Sequence, residues 1–232
     1  MKPVRGTRAK RRARTIESIV ETALSILTEE GFEALTMKRL ADEMGYAIGA
    51  FYRYFPSKDA LLLAVQREVL EQLAADVRAS AAAAARDGAL PPKGRALLPL
   101  LAAARSYVTL ARRRPVHSAL LARWLGNPGP MVATESAAPM IAGLIDLFGV
   151  IPGLFDDAVA GGALEAGDPQ RRAFAMWCAL QGALQVKKLD RFGVAAFDND
   201  ALVAEMVRAL FVGWGADPET FADAWCRAEE VD

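Results

Sequence analysis

Residues Thr36–Lys58, TMKRLADEMGYAIGAFYRYFPSK, leave the chain little local freedom. Thr36 is a good helix N-cap, because its hydroxyl oxygen can accept from the free backbone N–H groups of the next turn. A helix running from there to about Met44 buries Leu40, Ala41 and Met44 on one side. Gly45 supplies the left-handed residue that a tight turn between crossed helices needs. A second helix is expected from about Ala47 to Tyr54 or Phe55, stopped by Pro56. Ser57 caps the helix after it, with Asp59 near that helix's positive end. Two short helices crossed at a glycine describe a helix-turn-helix. Such a unit works because its second helix lies in the DNA major groove, about 12 Å wide, while the first crosses the backbone.

The second helix divides by size and polarity. Ile48, Gly49 and Ala50 give a small face for close approach, while Tyr52, Arg53 and Tyr54 supply donors. Phe51 and Phe55, four residues apart, are read as inward anchors. Upstream, Ile16, Ile19, Val20, Ala23, Leu24 and Leu27 form the apolar stripe of a supporting helix that Gly31 ends. Before it, Met1–Arg14 holds seven basic residues and no acidic one. A block of this kind is either a solvated tail or an arm that grips phosphates. The whole-chain net charge of zero hides this asymmetry, since residues 1–60 carry 11 Lys/Arg against 8 Asp/Glu.

The segment GYAIGAFYRYFPSKDALL closely resembles the TetR family of transcriptional repressors. Those proteins carry a glycine turn, a short recognition helix ending in a Leu-Tyr-x-x-Phe pattern, and a lysine opening helix four. Here the pattern stands as Phe51-Tyr52-Arg53-Tyr54-Phe55, and the lysine as Lys58. The match covers about Ile16 to Leu62. The resemblance implies phosphate contacts from Thr36 and Lys38, backbone contacts from Tyr52 and Tyr54, and a phosphate contact from Lys58. It implies that positions 48 to 50 and 53 face bases. The sequence departs from the family here, because Ala47, Ile48, Gly49 and Ala50 have no side-chain donor and Tyr46 stands where a small aliphatic residue is usual. Base reading is therefore expected of Arg53, with Tyr46, Lys38 and apolar contact with thymine methyls as further candidates. The arm would add minor-groove contacts through Arg5, Arg8, Lys10, Arg11, Arg12 or Arg14.

Everything downstream reads as helix. Apolar residues make up 53% of the chain, and no alternating stretch is long enough for a strand. Helices are expected at 58–86, 94–113, 115–126, 133–149, Pro169–Phe192, Asn199–Trp214 and Pro218–Glu230, with 127–131 and 150–168 loop-rich. The expected fold is all-α: a basic arm (1–14), a three-helix DNA-binding head with the helix-turn-helix (15–60), and a larger helical effector-binding and dimerisation domain (61–232). Ala175, Ala179, Gly182 and Val186 make a small-residue stripe that admits another helix closely. Leu202, Met206 and Leu210 belong to an apolar face too wide for one intramolecular contact. The resemblance implies the same pairing, as a homodimer joined by a four-helix bundle. The plain alternative is a monomer core.

An effector pocket is assigned to Arg105, His117, Leu121, Trp124, Met140, Leu144, Phe148, Phe174, Trp177 and Gln181. Aromatic and Met side chains line apolar ligand sites but also simply fill cores. Tyr107 and Met131 lie in the same middle part of the chain. Arg112-Arg113-Arg114 is read as a solvated helix end before Pro115. One histidine, no nucleophile–base constellation and no phosphate loop give catalysis no basis. Cys178 and Cys226 fit no metal or redox spacing, so no metal and no cofactor are expected. No segment reads as a membrane span, and no apolar core follows the basic amino terminus as in a signal peptide, so a cytoplasmic protein is expected.

The functional expectation is a TetR-like regulator, a repressor released from a palindromic double-stranded operator by a small, largely apolar effector. The alternatives are a regulator without such an effector, an activator, or a helical enzyme or protein-interaction module with an incidental basic arm.

Overall fold

A computed structural model describes residues 5–125, 145 and 148–231, with backbone alone at 5–7 and 123–125. The described helices are α1 (Arg5–Glu29), α2 (Met37–Glu43), α3 (Ile48–Phe51), α4 (Lys58–Ala84), α5 (Pro92–Arg113), α6 (Pro115–Leu125), α7 (Ile151–Ala160), α8 (Pro169–Val186), α9 (Asn199–Gly213) and α10 (Pro218–Val231). No strand occurs among the described residues.

Punctuation in the sequence explains most boundaries. Thr36 Oγ1 accepts from the Arg39 N–H at 3.0 Å and opens α2. Ser57 Oγ accepts from the Ala60 N–H at 3.1 Å and opens α4, with Asp59 in the first turn. Asp168 and Asp198 cap α8 and α9 in the same way. Gly31 and Gly45 take the turns after α1 and α2 with φ of 86° and 69°, where a Cβ would be strained.

Four segments differ from the periodicity reading. Arg5–Arg14 is not an irregular arm but the opening turns of α1. Arg, Lys and Ala are good helix formers, and neither Gly nor Pro separates residues 8–14 from the amphipathic stripe. The recognition helix stops at Phe51, and the chain tightens to i→i−3 bonds, Arg53 N–H to Ala50 O and Tyr54 N–H to Phe51 O. Phe55 precedes Pro56, and a residue before proline is driven out of the α region. The stretch 150–168 contains α7, because Pro152 sits in the first turn, where a missing N–H is no loss. Finally, α8 ends at Val186, and residues Lys187–Phe192 continue as a 3-10 turn closed by Gly193 at φ 64°. The expected helix at 133–149 and the loop at 127–131 fall, apart from Ile145, Phe148 and Gly149, outside the described residues.

The head is small and dry. Ile19, Ala23 and Leu27 of α1 meet Leu40 and Ala41 of α2, Phe51 of α3 and Leu61 of α4, all fully or almost fully buried. At about 1.5 Å per residue, the 27 residues of α4 span about 40 Å. This helix packs on α1 near its start and on α5 further along, so one rigid rod joins head and body. The boundary expected after residue 60 falls inside its first turn. In the body α5 is the axle, packing against α4, α7, α8 and α10. Leu97, Leu98 and Leu100–Ala104 are buried all round it, as expected of a helix with no polar face over that stretch.

Candidate nucleic-acid interface

The head presents a set of side chains that its own core does not use. Ile48 and Tyr52 are 42% and 46% exposed, while their neighbours Phe51 and Phe55 are buried at 0% and 6%. Gly49 lies on the same outer face, and a Cβ added there would meet nothing within 4 Å. A helical glycine is destabilising by roughly 0.5–1 kcal/mol relative to alanine. Nothing inside the protein requires this one, so its smallness fits close approach by something outside.

Around this face the donors take different stations. The hydroxyl of Thr36 accepts the α2 cap bond and keeps its own hydrogen to donate outward. Lys38 is exposed beside it. Arg39 is engaged by Glu30, just past the end of α1, at 3.0 Å and by Glu43 of its own helix at 3.1 Å. Lys58, half-buried, donates to the Phe32 carbonyl at 3.5 Å across the α1–α2 turn. Arg53 is exposed in the turn after α3, not on a helix face. Tyr54 is half-buried, packed edge-on against Tyr46 at 6.1 Å with the Arg12 guanidinium 5.9 Å from its ring. Tyr46 therefore braces Tyr54, a role its position in the turn did not reveal. Arg8, Lys10, Arg11, Arg12 and Arg14 are exposed along the start of α1, and the Arg5 side chain lies outside the described residues.

Residues 19–65 match the family model of bacterial regulatory proteins, tetR family. The HTH-type transcriptional regulator Rv0681 of Mycobacterium tuberculosis is 29% identical over 201 residues, covering 85% of this chain and 80% of that one. The chain is a TetR-family transcriptional regulator. The HTH-type transcriptional repressor KstR of M. tuberculosis is 35% identical over 80 residues, 34% of this chain and 36% of the repressor. The fold of FadR from Bacillus subtilis, solved in complex with stearoyl-CoA, superposes with a TM-score of 0.60 at 15% identity, over 84% of this chain and 97% of that one.

The body of this TetR-family regulator holds two small cavities that share Tyr107. The first, about 30 Å³, is apolar and lies between α4, α5, α7 and α8, lined by Val77, Ala103, Tyr107, Phe148, Ile151, Met176, Trp177 and Leu180. Across it the Trp177 Nε1–H donates to the Tyr107 hydroxyl at 3.0 Å, and that hydroxyl donates to Gln181 Oε1 at 2.7 Å. Burial holds the Tyr107 phenol far above its ordinary pKa, against a smaller opposing effect of the Trp177 bond. The second cavity, about 20 Å³, is lined by Leu73, Tyr107, Arg114, His117, Ser118 and Leu121. Burial lowers the His117 pKa, Arg114 lowers it further, and Asp76, bonded to Arg114 at 3.0 Å, opposes both.

Of the expected pocket residues, Phe148, Trp177 and Gln181 come together around Tyr107, and His117 with Leu121 line the neighbouring cavity. Phe174 packs on Phe148 and Trp177 at 6.1 and 5.6 Å from outside, half-exposed. Arg105 belongs elsewhere. It reaches to the opposite side of α5, where its Nε–H donates to the Trp225 carbonyl at 3.1 Å. Met131, Met140, Leu144 and the Trp124 side chain lie outside the described residues. Met176 and Leu180 were missed, although Ala173, Met176, Trp177 and Leu180 follow at three- and four-residue steps that mark one buried helix face.

Outside that face, α8 leaves Gly182 and Val186 exposed and Ala175 and Ala179 half-buried, and a Cβ added at Gly182 would meet nothing. On α9, Leu202, Met206 and Leu210 are half-buried beside the core residues Val203, Val207 and Phe211.

Proposed function

We propose that this chain is a homodimeric repressor that leaves a palindromic operator when a small, largely apolar molecule enters the body near Tyr107. The exposed outer face of α3, set against buried Phe51 and Phe55, is the observation that carries the DNA-binding half. On DNA, Thr36, Lys38, Tyr52, Tyr54 and Lys58 hold phosphates and backbone. Ile48, Gly49 and Ala50 lie against base edges, and Arg53 reads a base with help from Tyr46 or Lys38. Two such heads must stand roughly 34–36 Å apart to meet successive major grooves. The apolar outer edges of α8 and α9, with Ala175, Ala179, Gly182, Val186, Leu202, Met206 and Leu210, support pairing of two copies.

Effector release needs a link from body to head. Gln66 of α4, itself buried, donates to the Leu120 carbonyl of α6 at 3.2 Å. A ligand that parts α5, α7 and α8 and displaces α6 would pull on α4, whose first residue is Lys58. Operator affinity then falls by the ligand's preference for the displaced state. KstR is named a repressor, and FadR holds stearoyl-CoA. The cavities of about 20 and 30 Å³ favour a second reading, a regulator without a small-molecule effector. That space holds about one or two waters, so an effector must open the body to enter.

Selection of bound duplexes from a random pool, followed by a screen for compounds that release them, tests both halves. With the selected operator, Arg53→Ala should remove discrimination at one base position by about 1–3 kcal/mol. Lys58→Ala should weaken all sequences evenly and reduce the salt slope by about 1. A pool that yields no palindrome refutes the dimeric operator reading. Recovery of an operator that no compound releases favours the second reading.

A further inference from the structure

The basic start of α1 has two unlike faces. Ile16 packs on the head, and Ile19, Val20, Ala23 and Leu27 follow on the same side of the helix. Counted back from Ile16 in steps of four, that side carries Arg12 and Arg8. At about 1.5 Å per residue, Arg8 stands about 12 Å beyond Ile16, past the edge of the core. Lys10 and Arg14, also four apart, point half a turn away from Arg8 and Arg12. Arg11 lies between the two faces.

Acidic residues separate the faces further. No acidic residue precedes Glu17. Glu17 and Glu21 lie three and seven residues beyond Arg14, so they continue its face and offset the charge there. The face of Arg8 and Arg12 runs instead into the apolar stripe and holds no carboxylate, and both side chains are exposed. Arg12 shows what this face looks at. Its guanidinium sits 5.9 Å from the Tyr54 ring, and Tyr54 stands edge-on to Tyr46 in the turn before α3. The face therefore opens beside the recognition helix. A guanidinium over a ring keeps its N–H fork for an anion.

The shape of the segment decides how it meets a duplex. An α-helix with its side chains is about 10–12 Å across, and the minor groove is about 6 Å wide. A loose arm could thread that groove, but a helix cannot lie in it. A helix beside α3 meets the phosphate ridge. We propose that Arg8 and Arg12 form a preformed phosphate grip next to Tyr54, while Lys10 and Arg14 stay in solvent. This rests on the DNA-binding reading above and adds a point of support outside the helix-turn-helix. Contacts of this kind supply affinity and register and carry no sequence information. Like charges four residues apart weaken the free helix, so an anion held between them also firms the start of α1.

The test compares two variants of the full chain that lose the same charge. Arg8→Ala/Arg12→Ala and Lys10→Ala/Arg14→Ala each remove two cations, and alanine keeps the helix. Affinity is measured by fluorescence anisotropy at several salt concentrations, on the duplex selected with the parent and on duplexes with altered flanks. Each phosphate contact contributes about 0.9 to the slope of log affinity against log salt. The first variant should lose about 2 from that slope, so its affinity falls roughly tenfold less than the parent's between about 50 and 200 mM salt. The second should keep the parent's slope to within about 0.5. Equal slopes for the two variants overturn the proposal. A loss by R8A/R12A confined to duplexes with A·T-rich flanks also overturns it, because that is the mark of minor-groove reading. A parent that binds no duplex removes the DNA-binding reading itself, and this grip with it.

Discussion

Replacing Phe51 and Tyr52 by alanine, one at a time, tests the division of the recognition helix into an inner and an outer face. Phe51 is fully buried, and a phenyl group buries about 150–250 Å², so its removal forfeits roughly 4–6 kcal/mol at about 25 cal/mol per Å². Relaxation around the cavity brings the expected loss to about 3–5 kcal/mol. With only four residues in α-helical conformation, α3 has little intrinsic stability and depends on that ring. Tyr52 is 46% exposed, so its removal should change stability by no more than about 0.5 kcal/mol while weakening operator binding. All four tryptophans, at 124, 177, 214 and 225, lie in the body. Urea unfolding followed by tryptophan fluorescence therefore reports the body, and far-ultraviolet circular dichroism reports both parts. Phe51→Ala should lower the midpoint seen by dichroism and leave a fluorescence transition at higher urea. If Phe51→Ala costs less than about 1 kcal/mol, or Tyr52→Ala costs more than that, the assignment of the two faces is wrong.

Tyr107→Phe should destabilise the body by about 1–3 kcal/mol, because Trp177 Nε1 and Gln181 Oε1 lose a shared partner while staying buried. An unchanged fluorescence midpoint in urea would show that the hydrogen-bond chain does not form. Gly182→Arg meets open space within the chain, so it should leave dichroism unchanged and convert a dimeric mass to a monomeric one in sedimentation. A dimer that survives this change rules out α8 pairing at that residue. Burial lowers the His117 pKa in the folded state, so folding favours the neutral ring. Its effect on stability is level above the unfolded value near 6.5 and turns unfavourable as pH falls from about 7 towards 5. His117 is the sole histidine, so His117→Gln should flatten the urea midpoint over that range. Equal pH profiles for parent and variant contradict the half-buried placement.

Local order was legible in the sequence wherever a single turn of chain carries its own cause. The caps at Thr36 and Ser57, the left-handed Gly31 and Gly45, and the proline-opened helices each depend on residues three or four positions away. The inward placing of Phe51 and Phe55 was legible from their spacing, although α3 ends at Phe51 and the turn after it is what brings Phe55 to the core. The basic block shows where such reasoning stops. Charge composition allowed a loose arm, but Arg, Lys and Ala joined without a breaker to an amphipathic stripe simply extend α1. Pro152 misled in the same way, because a proline ends a helix or begins one according to what lies on either side.

Tertiary packing decided what no spacing could. Arg105 and Trp177 both lie on helices of the body core, yet the rotation of α5 sends Arg105 to Trp225 and turns Tyr107 towards Trp177 and Gln181. Arg112 read as a solvated helix end, and the fold carried it instead to Asn199, 87 residues away, leaving its Nε buried. Contacts that distant in sequence depend on the orientation of whole helices, which is set by the summed fit of the core. The sequence by itself therefore determined that this chain carries a DNA-reading head on an all-helical body. Only the packing of α5 among α4, α8 and α10 decided which side chains share a cavity.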